Sequence, residues 1–248
     1  ADHAAPKVLV REPLLSENQE AGSGRAFVSA DNRLLTSWTS WRNHTGAWSE
    51  ETRAQEIDLS DPAAPRRGPI ASLTGPLQGL HRTSSGGTIL FTVRPEIVST
   101  PDRPLHWTGH ALVEALAFDG TQAFRLDGVR AEYSAHFSAV VSGPHVLLPR
   151  PRVDGEKTLE AALHVIAWDA STGTLRTLDP LPLALNYPSV TAQGGFVFAT
   201  GATAIEVIAA HQLPDPPTRT RFDFGIPFWS GRPTTLDAAA RLARERIT

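Results

Sequence analysis

Apolar positions along this chain fall in short runs bounded by turn residues. Four such runs follow a Gly or Asn: Arg33-Leu34-Leu35-Thr36, Thr88-Ile89-Leu90-Phe91, His145-Val146-Leu147-Leu148 and Gly195-Phe196-Val197-Phe198. Runs of this length between turn signals read as strands. Their starts lie 55, 57 and 50 residues apart, near the upper end of the period expected for four-stranded repeat units. Two of them continue alike, as Val93-Arg94-Pro95 and Pro149-Arg150-Pro151.

A second landmark recurs between the runs. Ala117-Phe118-Asp119-Gly120-Thr121 and Ala167-Trp168-Asp169-Ala170-Ser171-Thr172-Gly173 each lead into a further segment containing an arginine, Arg125 or Arg176. Asp can accept a hydrogen bond from the backbone two residues on and Gly supplies positive φ, so both predict hairpins. Glu56-Ile57-Asp58-Leu59-Ser60-Asp61-Pro62 holds the matching place in the first unit, and Ala204-Ile205-Glu206-Val207-Ile208 in the fourth. Ala111–Ala117 and Thr158–Ala167 carry Leu, Ala and Glu at helix-friendly density. Each runs directly into a hairpin turn, which favours strands. The expected division is an N-terminal arm over 1–24, repeats over 25–80, 81–134, 135–185 and 186–230, and a C-terminal helix over 231–248. That helix reads from Thr234 or Thr235 as N-cap through an Ala-rich stretch.

Composition narrows the function classes. The 248 residues include no Cys and no Met, so disulfides, thiolate metal sites and cysteine nucleophiles are excluded. A net charge of -3 does not imply a polyanion-binding surface. The longest nearly apolar stretch, Ala111–Phe118, contains Glu114 and is too short to span a bilayer as a helix. Ala1-Asp2-His3-Ala4-Ala5-Pro6 would suit the new end left by signal-peptide removal. Secretion, or placement in a periplasm, is the expectation.

Trp168-Asp169-Ala170-Ser171-Thr172-Gly173 resembles the hairpin of quinoprotein-like propeller blades. Ile57-Asp58-Leu59-Ser60-Asp61-Pro62-Ala63-Ala64-Pro65-Arg66 is similar to the strand-then-turn segment of secreted propeller repeats. The resemblance, to bacterial β-propeller repeat proteins, covers residues 25–213 and implies an all-β, propeller-like fold of four tandem antiparallel blades. A small twisted sheet cannot bury its apolar faces alone, and stacking on the next sheet covers them. Four blades make either a small ring, with Lys7-Val8-Leu9-Val10 adding an edge strand to the fourth, or part of a ring completed by another chain or by the rest of a larger propeller.

Candidate chemistry is sparse. His81 and His136 occupy matching repeat positions, as do Arg94 and Arg150. Near the innermost strands of a propeller, such positions gather around a central channel, where imidazoles or guanidinium forks could hold a metal, carboxylate or phosphate. His106 and His110 have the spacing of paired zinc ligands on a helix, but Gly109 between them favours loop histidines. No Gly-x-Ser-x-Gly elbow or phosphate-binding Gly loop is present. Asn43-His44-Thr45 fits a glycosylation sequon, Trp38, Trp41 and Trp48 cluster in one region, and Phe222, Phe224, Phe228 and Trp229 form an aromatic tail suited to docking. The expectation is a non-catalytic binding or assembly subunit whose partner is a protein, with no nucleic acid and no membrane span. No cofactor is assigned. The alternative is an enzyme using the central channel, either a metal-assisted hydrolase or lyase or a quinoprotein-like oxidoreductase.

Overall fold

The computed structural model describes residues 20–224, apart from residues 31, 45–46, 101–102, 134–137, 155–156, 186–188 and 202. The described chain is all-β. Its strands pair in sequence order into four separate sheets. The first sheet is β1 (Glu20–Ala30), β2 (Arg33–His44), β3 (Ala47–Asp58) and β4 (Arg66–Leu73). The second is β5 (Leu77–Arg82), β6 (Thr88–Thr100), β7 (Arg103–Phe118) and β8 (Ala123–Glu132). The third is β9 (Val140–Ser142), β10 (His145–Asp154), β11 (Lys157–Asp169), β12 (Thr174–Thr177) and β13 (Leu181–Leu183). The fourth is β14 (Ser189–Gln193), β15 (Phe196–Thr200), β16 (Ala204–Ile208) and β17 (Arg219–Asp223).

The third sheet also follows the four-stranded plan. Its β12 pairs with Ile166–Asp169 and β13 with Ala161–Leu163, both along β11. They are two pieces of one outer strand. Asp179-Pro180 separates them, and proline has no N–H for the ladder.

The four apolar runs form the second strand of each sheet; in the second and third sheets they are apolar at successive positions because both faces of the strand are covered, whereas β15 buries one face and leaves Phe196 40% exposed on the other. Ile89, Leu90, Phe91, Thr92 and Val93 are all buried, as are Val146, Leu147 and Leu148. Fully burying a Leu or Phe contributes about 1.5–3 kcal/mol each. Ala111–Ala117 and Thr158–Ala167 lie in β7 and β11.

The strands group into two compact units: residues up to Arg94 with Val113–Gly128, and Pro95–Leu112 with residues from Val129 onward. In the first, Leu35, Ala54 and Ala71 of the first sheet pack with Leu77, Leu90, Leu116 and Phe118 of the second. In the other, Leu147, Leu163, Val165 and Leu183 of the third sheet pack with Val190, Val197, Ala199, Ala204 and Ile208 of the fourth. Within each unit the first strands of the two sheets also approach, β1 beside β5 and β9 beside β14.

β1 begins at Glu20, within the stretch over 1–24 expected to be an N-terminal arm with a possible edge strand, and forms the edge of the first sheet. One expectation meets a different outcome. His106 and His110 sit in β7 and not in a loop, because Gly109 takes φ +83° within the strand, where a residue without Cβ meets no steric cost. Lys7–Val10, the helix over 231–248, Phe228 and Trp229 lie outside the described residues, as does Thr45 of the sequon.

Candidate functional site

Three turn aspartates set the local geometry at the end of the third strand in the first, second and third sheets. The Asp58 carboxylate accepts from the Ser60 N–H at 2.8 Å and its hydroxyl at 2.6 Å. Asp119 does the same with Thr121, at 2.8 and 2.7 Å, and Asp169 with Ser171, at 2.9 and 2.6 Å. These side-chain and backbone donors hold all three carboxyls below the usual carboxylate range. The repeated Asp-x-Ser/Thr is therefore a folding signal.

Two of these turns, from adjacent sheets of the first unit, border a polar cleft of about 310 Å³. Asp58 and Arg66 stand on one side and Asp119 and Gly120 on the other, with Arg33, Arg67 and Glu56 completing the charged wall. Gly120 takes φ +93°, and Gly68 is so close to the Glu56 carbonyl that a Cβ would stand 3.2 Å from it. Arg33 Nη1 donates to Glu56 Oε2 at 3.0 Å, and Arg33 and Arg66 add to the depression of Asp58. Three guanidiniums face three carboxylates, so the cleft is formally neutral. Its chemistry suits a small polar group and gives no preference for anion over cation. Sequence reasoning missed it because Arg33 and Asp119 are far apart in the chain. The available signal was arginine beside the turn aspartates.

The residues singled out in the sequence are placed as follows. His81 is half-buried in β5 opposite Ile89 of β6, and burial lowers its pKa. Arg94 is an exposed residue of the same hairpin, five positions beyond Ile89 and so about 17 Å along the strand. The structure does not bring these two together. Arg150 belongs to the other unit, where it forms an ion pair with Glu132. His164 Nε2 lies 3.9 Å from the same carboxylate, but burial and the charge of Arg150 lower its pKa, so His164 is a neutral neighbour and Arg150 the partner of Glu132. His136 lies outside the described residues. No cluster of three or more His, Cys, Asp or Glu able to hold a metal occurs among the described residues.

Two buried carboxylates stand apart from the apolar strands that carry them. Glu114 of β7 is 2% exposed and receives Arg125 Nε of β8 at 2.9 Å. Glu206 of β16 receives Arg219 of β17 at 2.5 Å, and Arg219 also donates to the Pro182 carbonyl. Beside it, Arg221 donates to the Ala184 carbonyl at 2.6 Å. Arginines of the last strand thus tie the fourth sheet to the third. The remaining oxygens Glu114 Oε2 and Glu206 Oε2 are buried without a partner among the described residues. A Glu inside an apolar run, followed by Arg in the next strand, is the signal that marks both. Trp38 is buried, while the side chains of Trp41 and Trp48 are outside the description. No protein-family model matches the chain, and no curated protein matches it in sequence.

Proposed function

We propose that the chain is a non-catalytic binding or assembly subunit, built as consecutive blades of a β-propeller-like scaffold and working outside the cytoplasm. Its partner is another protein chain or the rest of a larger propeller. Support for the scaffold comes from the sheets themselves. Each is a meander, neighbours in each unit pack face to face, and first strands lie beside first strands. Such a fan is how twisted sheets of one repeat cover their faces. Support for an extracellular location is the likeness of Ile57–Arg66 to secreted propeller repeats.

The observation that carries the binding role is on the outermost strands. Ile70 on β4, Phe124 and Leu126 on β8 and Phe222 on β17 are all exposed. Large apolar side chains on open sheet edges are unfavourable in water and mark contact surfaces. Meanwhile the charged groups of the interior, Glu114 and Glu206, are taken up by Arg125 and Arg219. A photo-crosslinking residue at Phe124 or Phe222 tests the role in the native host. Discrete adducts with a polypeptide are expected, and lost when the same probe replaces exposed Arg176. Adducts only with a small molecule, or turnover of one by the purified chain, would overturn it.

A further inference from the structure

A strand irregularity shapes the cleft of the first unit. Gln55 pairs with Ile70 and Ile57 with Arg67, so β4 has one residue more than β3 over this stretch. The extra residue falls at Gly68-Pro69, and Gln55 Nε2 holds the bulge by donating to the Gly68 carbonyl at 2.7 Å. A bulge of this kind bends its strand and re-aims the side chains beside it. Arg66 and Arg67 precede it and line the cleft. The glycines keep the floor open. A Cβ on Gly68 would stand 3.2 Å from the Glu56 carbonyl oxygen and 3.7 Å from that of Gly120.

The charges lining the cleft are only partly paired. Arg33 is taken by Glu56 at 3.0 Å, and Arg67 also has a partner. Arg66 is exposed and makes no hydrogen bond or ion pair with another described residue. On the other side, the turn donors bind Oδ1 of Asp119 and leave Oδ2 to other partners. The two walls also differ in sign. Three guanidiniums against Glu56 and Asp58 leave the first-sheet wall with a surplus positive charge, while Asp119 makes the second-sheet wall negative. A lone anion would face Asp119 and a lone cation would face Arg66. A molecule carrying both charges satisfies both walls.

We propose that this cleft binds a small zwitterion of the amino-acid class, its carboxylate on the Arg66 fork and its ammonium on Asp119 Oδ2. The planar guanidinium matches a carboxylate with two parallel hydrogen bonds, and an ammonium donates to a carboxylate oxygen. A volume of about 310 Å³ is at the small end for ligand pockets and suits a single amino acid or a dipeptide. Both contacts are open to water and screened by salt, so the affinity should lie in the millimolar range. The site uses residues of the first unit only and stands whether or not the chain recruits a protein partner.

Backbone amide shifts of the full chain in heteronuclear NMR test this. Glycine and glycylglycine are the probes, with sodium acetate and methylammonium chloride as single-charge controls at matched ionic strength. Saturable shifts at Gly68, Gly120 and Thr121 are expected with a zwitterion, and the controls should bind at least about tenfold more weakly. Arg66→Gln should weaken zwitterion binding about tenfold. Asp119→Asn should do the same, because its amide oxygen keeps the turn acceptor for Thr121 and only the charge is lost. Asp169→Asn changes the equivalent turn of the third sheet, which does not line the cleft, and should leave binding as it was. No saturation with either zwitterion would overturn the proposal, as would acetate binding as tightly as glycine. An Arg66→Gln variant with unaltered dichroism and unaltered binding would overturn it too.

Discussion

Glu114 makes the sharpest energetic test. Its carboxylate is 2% exposed, and Arg125, whose side chain is 54% exposed, approaches it at 2.9 Å. Removing one partner of a fully buried pair costs about 3–5 kcal/mol, because a charge remains without compensation. Arg125 is half in water, and water can follow its truncation, so Arg125→Ala should cost less, about 2 kcal/mol. Replacing the acid has a different consequence. Glu114→Leu removes the desolvated charge and keeps the volume, so its cost should be about 0–1 kcal/mol. The double variant should resemble Glu114→Leu alone. Gly128 adds an independent handle, since a Cβ there would stand 2.4 Å from an Arg125 terminal nitrogen and 3.3 Å from Glu114 Cγ. Gly128→Ala should therefore displace Arg125 and reproduce its loss. Urea unfolding followed by tryptophan fluorescence and dichroism provides the measurement. At a slope of about 2 kcal/mol/M, Arg125→Ala should lower the midpoint by about 1 M. A change below about 0.3 M, or a Glu114→Leu loss as large as that of Arg125→Ala, would refute the reasoning.

Three further outcomes are expected. The carboxyls of Asp58, Asp119 and Asp169 are depressed in the fold by Ser60, Thr121 and Ser171, so the stability they contribute is present above the ordinary Asp value of about 3.9 and is lost as pH falls through their lowered values. Ser171→Ala should move the Asp169 titration midpoint upward in carbon-detected NMR, with Asp119 as the unmoved internal control. Burial lowers the pKa of His81 and His164, so unfolding takes up protons below about pH 6.5 and stability falls as pH drops through the folded values; His164→Gln should flatten the urea midpoint between neutral and mildly acidic pH, and an unchanged slope would count against it. Leu147 is fully buried between the third and fourth sheets, so Leu147→Ala should cost about 2–5 kcal/mol, read as a loss of midpoint with unchanged slope.

Much of the fold can be read in the residues because it is written locally. The runs at Leu34, Ile89, Val146 and Phe196 mark the second strand of each sheet, and the hairpin turns at Asp58, Asp119 and Asp169 carry their own hydrogen bonds. The split outer strand of the third sheet is less visible, since β12 and β13 are each too short to show a period and depend on β11 for pairing. His106-Trp107-Thr108-Gly109-His110 misleads because glycine is a turn signal that the strand here absorbs. The candidate site was less legible still. His81 and Arg94 correspond to other repeats by position, yet strand rise separates them. The charged cleft draws Arg33, Arg66 and Asp119 together from different hairpins, a proximity that only the packing of two sheets creates. Glu114 and Glu206 were visible as acids in apolar runs, but their arginine partners follow from register alone.

The account depends most on consecutive sheets of each unit stacking with their first strands side by side, β1 beside β5 and β9 beside β14. The chain has no native Cys, so spin labels at Val141→Cys and Thr191→Cys report the second of these distances cleanly. Facing sheets stand about 10 Å apart, and a separation under about 20 Å between the labels is the expected result. A narrow distribution beyond about 30 Å would contradict the stacked-sheet scaffold.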